Sequence, residues 1–281
     1  MLCLRWDFLQ GSVFAICILA FFTVLLAVVP SHSQVSVSVN NYVASAEQFD
    51  KSRSYEKAIA DYSKAISLDP QLYRAYIGRG MVYDKRGLYD EAIEDFTKAI
   101  EISRGTYEAF FCRGLALANK GDHSEAIRDF SHAIFRDSKQ YEAFYYRAAS
   151  RFMLAYYGTA IGDLTKAIKL NSRSTRSYRM RATAYLALEE FDKTIEDTSA
   201  AILIDPGFYK AFHLRAAAYY SKGRFWKAIG DLNEVIRIHP EFAPAFVSRA
   251  RAYCAVGDKD AAKINEKRAQ ELDPLLKAPC Q

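Results

Sequence analysis

The feature that most constrains this chain is a period. Set against itself at an offset of 34 residues, the sequence brings one pattern into register seven times, from Val39, Tyr73, Tyr107, Tyr141, Thr175, Tyr209 and Ala243. The repeats span 39–72, 73–106, 107–140, 141–174, 175–208, 209–242 and 243–276, with 34–38 as a linker, 277–281 as a tail and 1–33 as a leader. In each repeat an aromatic at the fourth place (Tyr42, Tyr76, Phe110, Phe144, Tyr178, Phe212, Phe246) precedes Gly or Ala at the eighth, one helical turn on. A second stretch, such as Tyr89, Ala92, Ile93, Phe96, Ala99 and Ile100, has the three-and-four spacing of an amphipathic helix. Each repeat therefore encodes two helices, A and B.

Glycine separates the two helices in four repeats (Gly87, Gly121, Gly223, Gly257), where a left-handed residue closes a helix without a Cβ penalty. Proline follows helix B in four repeats (Pro70, Pro206, Pro240, Pro274) and cannot continue it. In these positions the sequence resembles the tetratricopeptide repeat family. The resemblance implies an all-α fold, a right-handed superhelical solenoid of seven antiparallel helix pairs, with helix A lining a concave side where ligands bind. Departures occur at Ala155 and Glu189 in place of the turn glycine, at Thr198 in place of an aromatic, and at Arg104, Ser138 and Ser172 in place of proline. Different local bends are expected there. In the last repeat Lys263, Glu266 and Gln270 replace the apolar residues of helix B, so this repeat is read as a cap whose outer face meets water.

Charges repeat as well. The seventh place is Arg in repeats two to seven (Arg79, Arg113, Arg147, Arg181, Arg215, Arg249), and place 23 is Asp in repeats one to six (Asp61, Asp95, Asp129, Asp163, Asp197, Asp231). Pairing within a repeat leaves Asp61 facing Ser45 and Arg249 facing Asn265, whereas pairing each Asp with the next repeat's Arg leaves none over. Six ion pairs between successive repeats are therefore expected, from Asp61–Arg79 to Asp231–Arg249. The alternative is a solvated charged face, where each pair contributes only ~0–1 kcal/mol.

Places five, nine and twelve of helix A share a face distinct from the one that enters the hairpin core. With Tyr146 and Met180 at place six, this face gives a candidate ligand groove of Met81, Phe111, Leu115, Tyr145, Tyr146, Phe152, Arg179, Met180, His213 and Tyr220. Phe111, Tyr145, Tyr146 and Tyr220 are the expected anchors for an extended or helical segment, and Arg179 the acceptor of a carboxylate. Packing against adjacent A helices is the competing role. Certain tetratricopeptide co-chaperones grip an acidic carboxy-terminal tail with Lys, Asn and Arg; the corresponding places here read Val43, Glu47, Gly78, Glu108 and Cys112, so that clamp is missing.

No catalytic spacing is present: there is no HExxH, P-loop, GxGxxG after a strand or GxSxG, and His123 and His132 lie on opposite sides of one helix. No enzymatic activity, metal or cofactor is expected. A net charge of +5 with acids and bases interleaved argues against nucleic acid. The run Val13–Val29, preceded by Arg5 and followed by Ser31 and Ser33, encodes either a cleaved signal peptide or a retained membrane anchor. The membrane contact expected is through this segment only. Either reading sends the body out of the cytosol, to a periplasmic, secreted or outward-facing position. Cys112, Cys254 and Cys280 show no CxxC spacing; they read as small buried hydrophobes, with a Cys254–Cys280 bridge as the alternative in an oxidising compartment. The function expected is an exported adaptor that presents a groove to a protein or peptide. The alternative is a self-assembling structural or glycan-associated envelope component.

Overall fold

The computed structural model describes residues 32–276. Within them lie fourteen helices and no strand. In chain order these are α1 (His32–Lys51), α2 (Tyr55–Leu68), α3 (Tyr73–Lys85), α4 (Tyr89–Ser103), α5 (Tyr107–Lys120), α6 (His123–Arg136) and α7 (Tyr141–Met153). They continue as α8 (Tyr157–Leu170), α9 (Thr175–Ala187), α10 (Phe191–Ile204), α11 (Tyr209–Ser221), α12 (Phe225–Ile238), α13 (Ala243–Ala255) and α14 (Lys259–Leu272). Odd-numbered helices are the A helices and even-numbered ones the B helices. The fold is an all-α solenoid of helix pairs. Helix α1 starts at His32, so the stretch 34–38, expected as a linker, is helical; no Gly or Pro interrupts it. The apolar run Val13–Val29 lies outside the described residues, and among those described no helix is long and apolar enough to cross a membrane.

The described chain falls into two compact parts, one up to Val82 and one from Tyr83. The first is built on Val39, Ala46, Ala58, Tyr62, Ala65, Ala75 and Val82, with Tyr42, Phe49 and Tyr55 packed against them. In the second, each helix packs on its hairpin partner and on the next hairpin, around clusters such as Phe144, Ala148, Ala160, Leu164 and Ala167, and Phe212, Ala216, Ala228, Leu232 and Val235. The recurring small residues set the spacing. A Cβ on Gly114 would stand 2.8 Å from the Phe130 ring, so the ring of the B helix rests directly on the A-helix backbone. Thr198, at the place of that ring in the fifth repeat, is fully buried and donates its hydroxyl to the Thr194 carbonyl of its own helix, 2.6 Å away.

The turns depart from expectation in an instructive way. Ala155 and Glu189 take φ of 59° and 60°, the same left-handed conformation as Gly87, Gly121, Gly223 and Gly257, so the bend is preserved without glycine. Here the helices on either side dictate the backbone and the side chain bears the strain. At the turn after helix B the device is an Asp or Asn rather than proline. Asp69, Asp137, Asn171, Asp205 and Asp273 each accept the backbone N–H two residues on, at 2.9–3.1 Å. This works equally where Ser138 and Ser172 stand in place of proline.

The charge ladder is paired differently from the expectation. Arg113, Arg147, Arg181 and Arg215 each form a two-pronged bond, through Nε and Nη2, with the Asp of their own hairpin: Asp129, Asp163, Asp197 and Asp231, at 2.7–2.9 Å. The pairs are therefore within repeats, and the inter-repeat pairing of Asp129 with Arg147, Asp163 with Arg181 and Asp197 with Arg215 is corrected. What crosses to the preceding repeat is the third arm. Nη1 donates to a neutral acceptor on the preceding B helix: Arg79 to Ser63, Arg113 to Thr97, Arg147 to Ser131, Arg181 to Thr165, Arg215 to Ser199 and Arg249 to Asn233, at 2.8–3.0 Å. The two ends of the ladder are completed by neutral groups, so neither end group is left without a partner in the pairing within repeats. Ser45 donates to Asp61 at 2.6 Å, and Arg249 donates from Nε to Asn265 at 2.7 Å.

Removing one partner of such a shielded pair leaves a charge without compensation, at a cost of about 3 kcal/mol or more. Asp197→Asn is expected to destabilise the array on that scale, and Thr165→Ala by about 1 kcal/mol. In double-mutant cycles by chemical denaturation, Arg181 should couple strongly to Asp197 and weakly to Asp163; the reverse order would reinstate pairing between repeats.

Candidate functional site

The A helices position the groove residues, because their B-facing stripe is taken up by the hairpin core. On α5, Phe111 stacks on Tyr107 of its own helix at 5.4 Å and meets Phe130 of α6 at 5.9 Å. It also meets Tyr146 of α7 edge-on at 5.7 Å. Tyr146 in turn stacks on Phe130 at 6.1 Å and takes Tyr145 edge-on at 5.2 Å. Met180 of α9 packs against this group, and the Arg176 guanidinium lies 5.4 Å above the Tyr145 ring. The result is one connected aromatic surface across α5, α7 and α9.

Of the sequence candidates, Phe111, Tyr145, Tyr146 and Met180 are brought together here. Leu115 and Arg179 are half-buried on the same helices. Phe152 and Tyr220 sit apart, at the far ends of α7 and α11, where they close their own hairpins against Tyr157 and Phe225 at 5.1 and 5.2 Å. Tyr220 keeps 38% of its surface open and Tyr145 only 9%. Met81 belongs to the compact part ending at Val82, where it is exposed on α3. Tyr145 and Tyr146, expected as ligand anchors with packing between A helices as the competing role, also tie neighbouring helices together, and each ring pair contributes about 0.5–1.5 kcal/mol beyond its buried area.

Two residues of this surface were missed. Tyr107 and Tyr141 stand at the first place of their repeats, one turn before the fifth, and Tyr recurs there at Tyr73 and Tyr209; that recurrence was the available signal. Tyr141 is hydrogen-bonded to Arg176. Burial pushes the Tyr145 phenol up while the nearby Arg179 and Arg176 guanidiniums pull it down, so both cations bear on that ring. The rim is basic beside Tyr145, whereas beside Tyr107 burial, with Glu142 and Asp137 adding to it, pushes the phenol up.

Other chemistry is sparse. Burial, with Glu108 and Asp84 adding to it, pushes the Cys112 thiol up to about 12, which removes its nucleophilic form at neutral pH. Among the described residues no group of three or more His, Cys, Asp or Glu side chains lies together as a metal set. His132 is stacked on Phe110 at 4.9 Å.

His213 packs edge-on against the Phe242 ring at 5.3 Å, and its Nε2 is 3.1 Å from the Ser248 hydroxyl. Burial holds its pKa below the ordinary 6.5, against a smaller opposing pull from the Pro244 backbone. A folded-state pKa below the unfolded one means that stability is present above the unfolded value and is lost as pH falls through the folded one. Acidification from neutral pH to below 6 is thus expected to lower the melting temperature, and His213→Gln to flatten that dependence; an unchanged pH profile in the variant would assign it to other groups.

Comparison with known proteins agrees with this architecture. A tetratricopeptide repeat family model matches residues 73–105, and a second TPR repeat model matches residues 52–87. No curated protein matches the chain. Among solved structures, the C-terminal part of a TPR repeat-containing protein from Cytophaga hutchinsonii is 20% identical, covering 83% of this chain and 95% of that one, with a TM-score of 0.70. MamA is 25% identical over 60% of this chain and 92% of its own, with a TM-score of 0.56. YrrB, described as a TPR protein with an unusual peptide-binding site, is 22% identical over 66% of this chain and 95% of its own, with a TM-score of 0.58. The recurring small and aromatic places, the paired helices and these matches give the chain the fold of a tetratricopeptide repeat solenoid, with repeat-family matches over residues 52–105.

Proposed function

We propose that this chain is a protein-binding scaffold, and that the A-helix face of α5, α7 and α9 receives a polypeptide segment carrying apolar and acidic side chains. The observation that carries the reading is the connected aromatic surface of Tyr107, Phe111, Tyr146 and Tyr145 bordered by Arg176 and Arg179. Rigid aromatic rings beside guanidiniums are the commonest anchors of protein interfaces. The fold shared with YrrB is one that accommodates a peptide in that protein. Because Tyr145 and Tyr146 also carry structure, Arg176 and Arg179 are the positions that separate binding from folding. Peptides selected from a displayed library on the whole chain are expected to bind about tenfold more weakly to an Arg176→Glu/Arg179→Glu variant of unchanged helix content. Selected peptides that ignore these substitutions would move the binding face elsewhere.

The scaffold is exported in this reading. Support comes from the apolar run Val13–Val29 and from Cys254, which is disulfide-bonded, a state that persists outside reducing compartments. This departs from the expectation of a buried thiol at Cys254, and the bridge considered to Cys280 ends outside the described residues. In intact cells a carboxy-terminal tag on the full chain should be cleaved by added protease once any outer barrier is opened; protection until the cytosol itself is breached would overturn the export reading.

A further inference from the structure

The seventh repeat breaks the Arg–Asp arrangement in a specific way. In the four preceding repeats the Nε and Nη2 prongs of the arginine hold both oxygens of a buried Asp, and in Arg215 the Asp231 bond is what pushes the guanidinium pKa up. In Arg249 the Nε prong goes to Asn265 Oδ1 at 2.7 Å and Nη1 to Asn233 Oδ1 at 2.8 Å. The Asn265 amide is turned away, donating to the Ala261 carbonyl at 2.7 Å, so no carboxylate faces Nη2. Burial accordingly pushes the Arg249 pKa down, against a smaller opposing pull from the Tyr253 phenol. A half-buried guanidinium without a counter-charge is held at a cost in free energy.

Two further substitutions converge on the same spot. At place 22, where the other repeats have Ala60, Glu94, Arg128, Gly162, Glu196 and Gly230, the last repeat has Ile264, 70% exposed. At place 25, where the others have a neutral acceptor, it has Lys267. Ile264, Lys267 and Arg268 line a cavity of 410 Å³ together with Phe246, Arg249 and Asn265. The one acid in its wall, Glu271, is engaged with Arg268 at 3.0 Å. This end of the array has gained a cation and an aliphatic side chain and lost a carboxylate, all around one hollow.

We propose that the hollow between α13 and α14 binds a carboxylate borne next to an aliphatic side chain on a partner polypeptide. The carboxylate takes the Arg249 prong that an Asp occupies in the earlier repeats, Lys267 adds a second cation, and the aliphatic group covers Ile264 and the Phe246 ring. A carboxylate is favoured over other anions because the same planar fork already holds one in four neighbouring hairpins. The site is distinct from the A-helix face of α5, α7 and α9, and each reading can fail without the other.

The test uses the full chain and two acetylated, amidated tripeptides, leucine–aspartate–leucine and leucine–asparagine–leucine, titrated while the arginine Nε–H and isoleucine methyl NMR signals are followed. The aspartyl peptide is expected to shift Arg249 and Ile264 and to bind about tenfold or more tightly than the asparaginyl one. Asn265→Asp, which restores the carboxylate found in the other repeats, should abolish that preference while keeping or raising the melting temperature. Ile264→Ser, on an exposed side chain, should weaken both peptides. Equal binding of the two peptides, retention of the preference in Asn265→Asp, shifts confined to Arg176 and Arg179, or no shift at millimolar peptide would each overturn the proposal. Shifts of Arg249 and Ile264 that follow chain concentration without peptide would overturn it in favour of a second copy of the chain.

Discussion

One planar cation at the seventh place ties three helices at once. Its Nε and Nη2 prongs fix helix A to helix B of the same hairpin, and its Nη1 arm fixes that hairpin to the B helix before it. A lysine cannot replace it, because a point charge lacks the fork that reads a carboxylate in one direction and a hydroxyl in another. The arrangement also sets register, since a hairpin slipped by one turn would leave the arginine opposite an aliphatic side chain and an Asp stranded in the interior. Apolar contact alone would not forbid such a slip, as alanines recur along both helices.

The alanines give the ladder its reach. Ala58, Ala65, Ala92, Ala99, Ala126, Ala133, Ala160 and Ala167 have no measurable exposure, and they let helix axes approach until a single guanidinium spans both neighbours. Close approach in turn excludes water from the Asp side chains, of which Asp95, Asp129, Asp163, Asp197 and Asp231 are all buried. Burial raises the cost of leaving any of them unpaired, so packing and polar pairing enforce one another.

How much was legible follows from what repeats. The period, the two helices per repeat, the turn glycines and the polar last repeat could all be read from residue types, because each reflects a local rule about periodicity or φ. Pairing across space could not. The ladder was assigned to the wrong partner because Ser45 and Asn265 look like gaps when only charges are counted, and a hydroxyl or an amide fills each. The bends at Ala155 and Glu189 were misjudged for a related reason: propensity argues against a left-handed alanine or glutamate, but packed helices on both sides overrule it. The aromatics of the A helices were seen as a surface and are half a core, since helical spacing says which side chains share a face and not what lies opposite.

What distinguishes this array from any other built on the same frame lies where the period fails. A position that repeats is explained by stacking: it recurs because every hairpin must meet its neighbours in the same way. Arg179 beside Tyr145, and Ile264 and Lys267 beside Arg249, have no such explanation, because the equivalent places elsewhere hold other chemistry and stack as well. An end repeat is the least constrained of all, since one of its faces owes nothing to a neighbour. Asn265 makes the point with one atom: an Asp there would complete the ladder at no cost in shape, and the chain carries an amide that leaves a half-buried, hydrogen-bonded cation without a carboxylate.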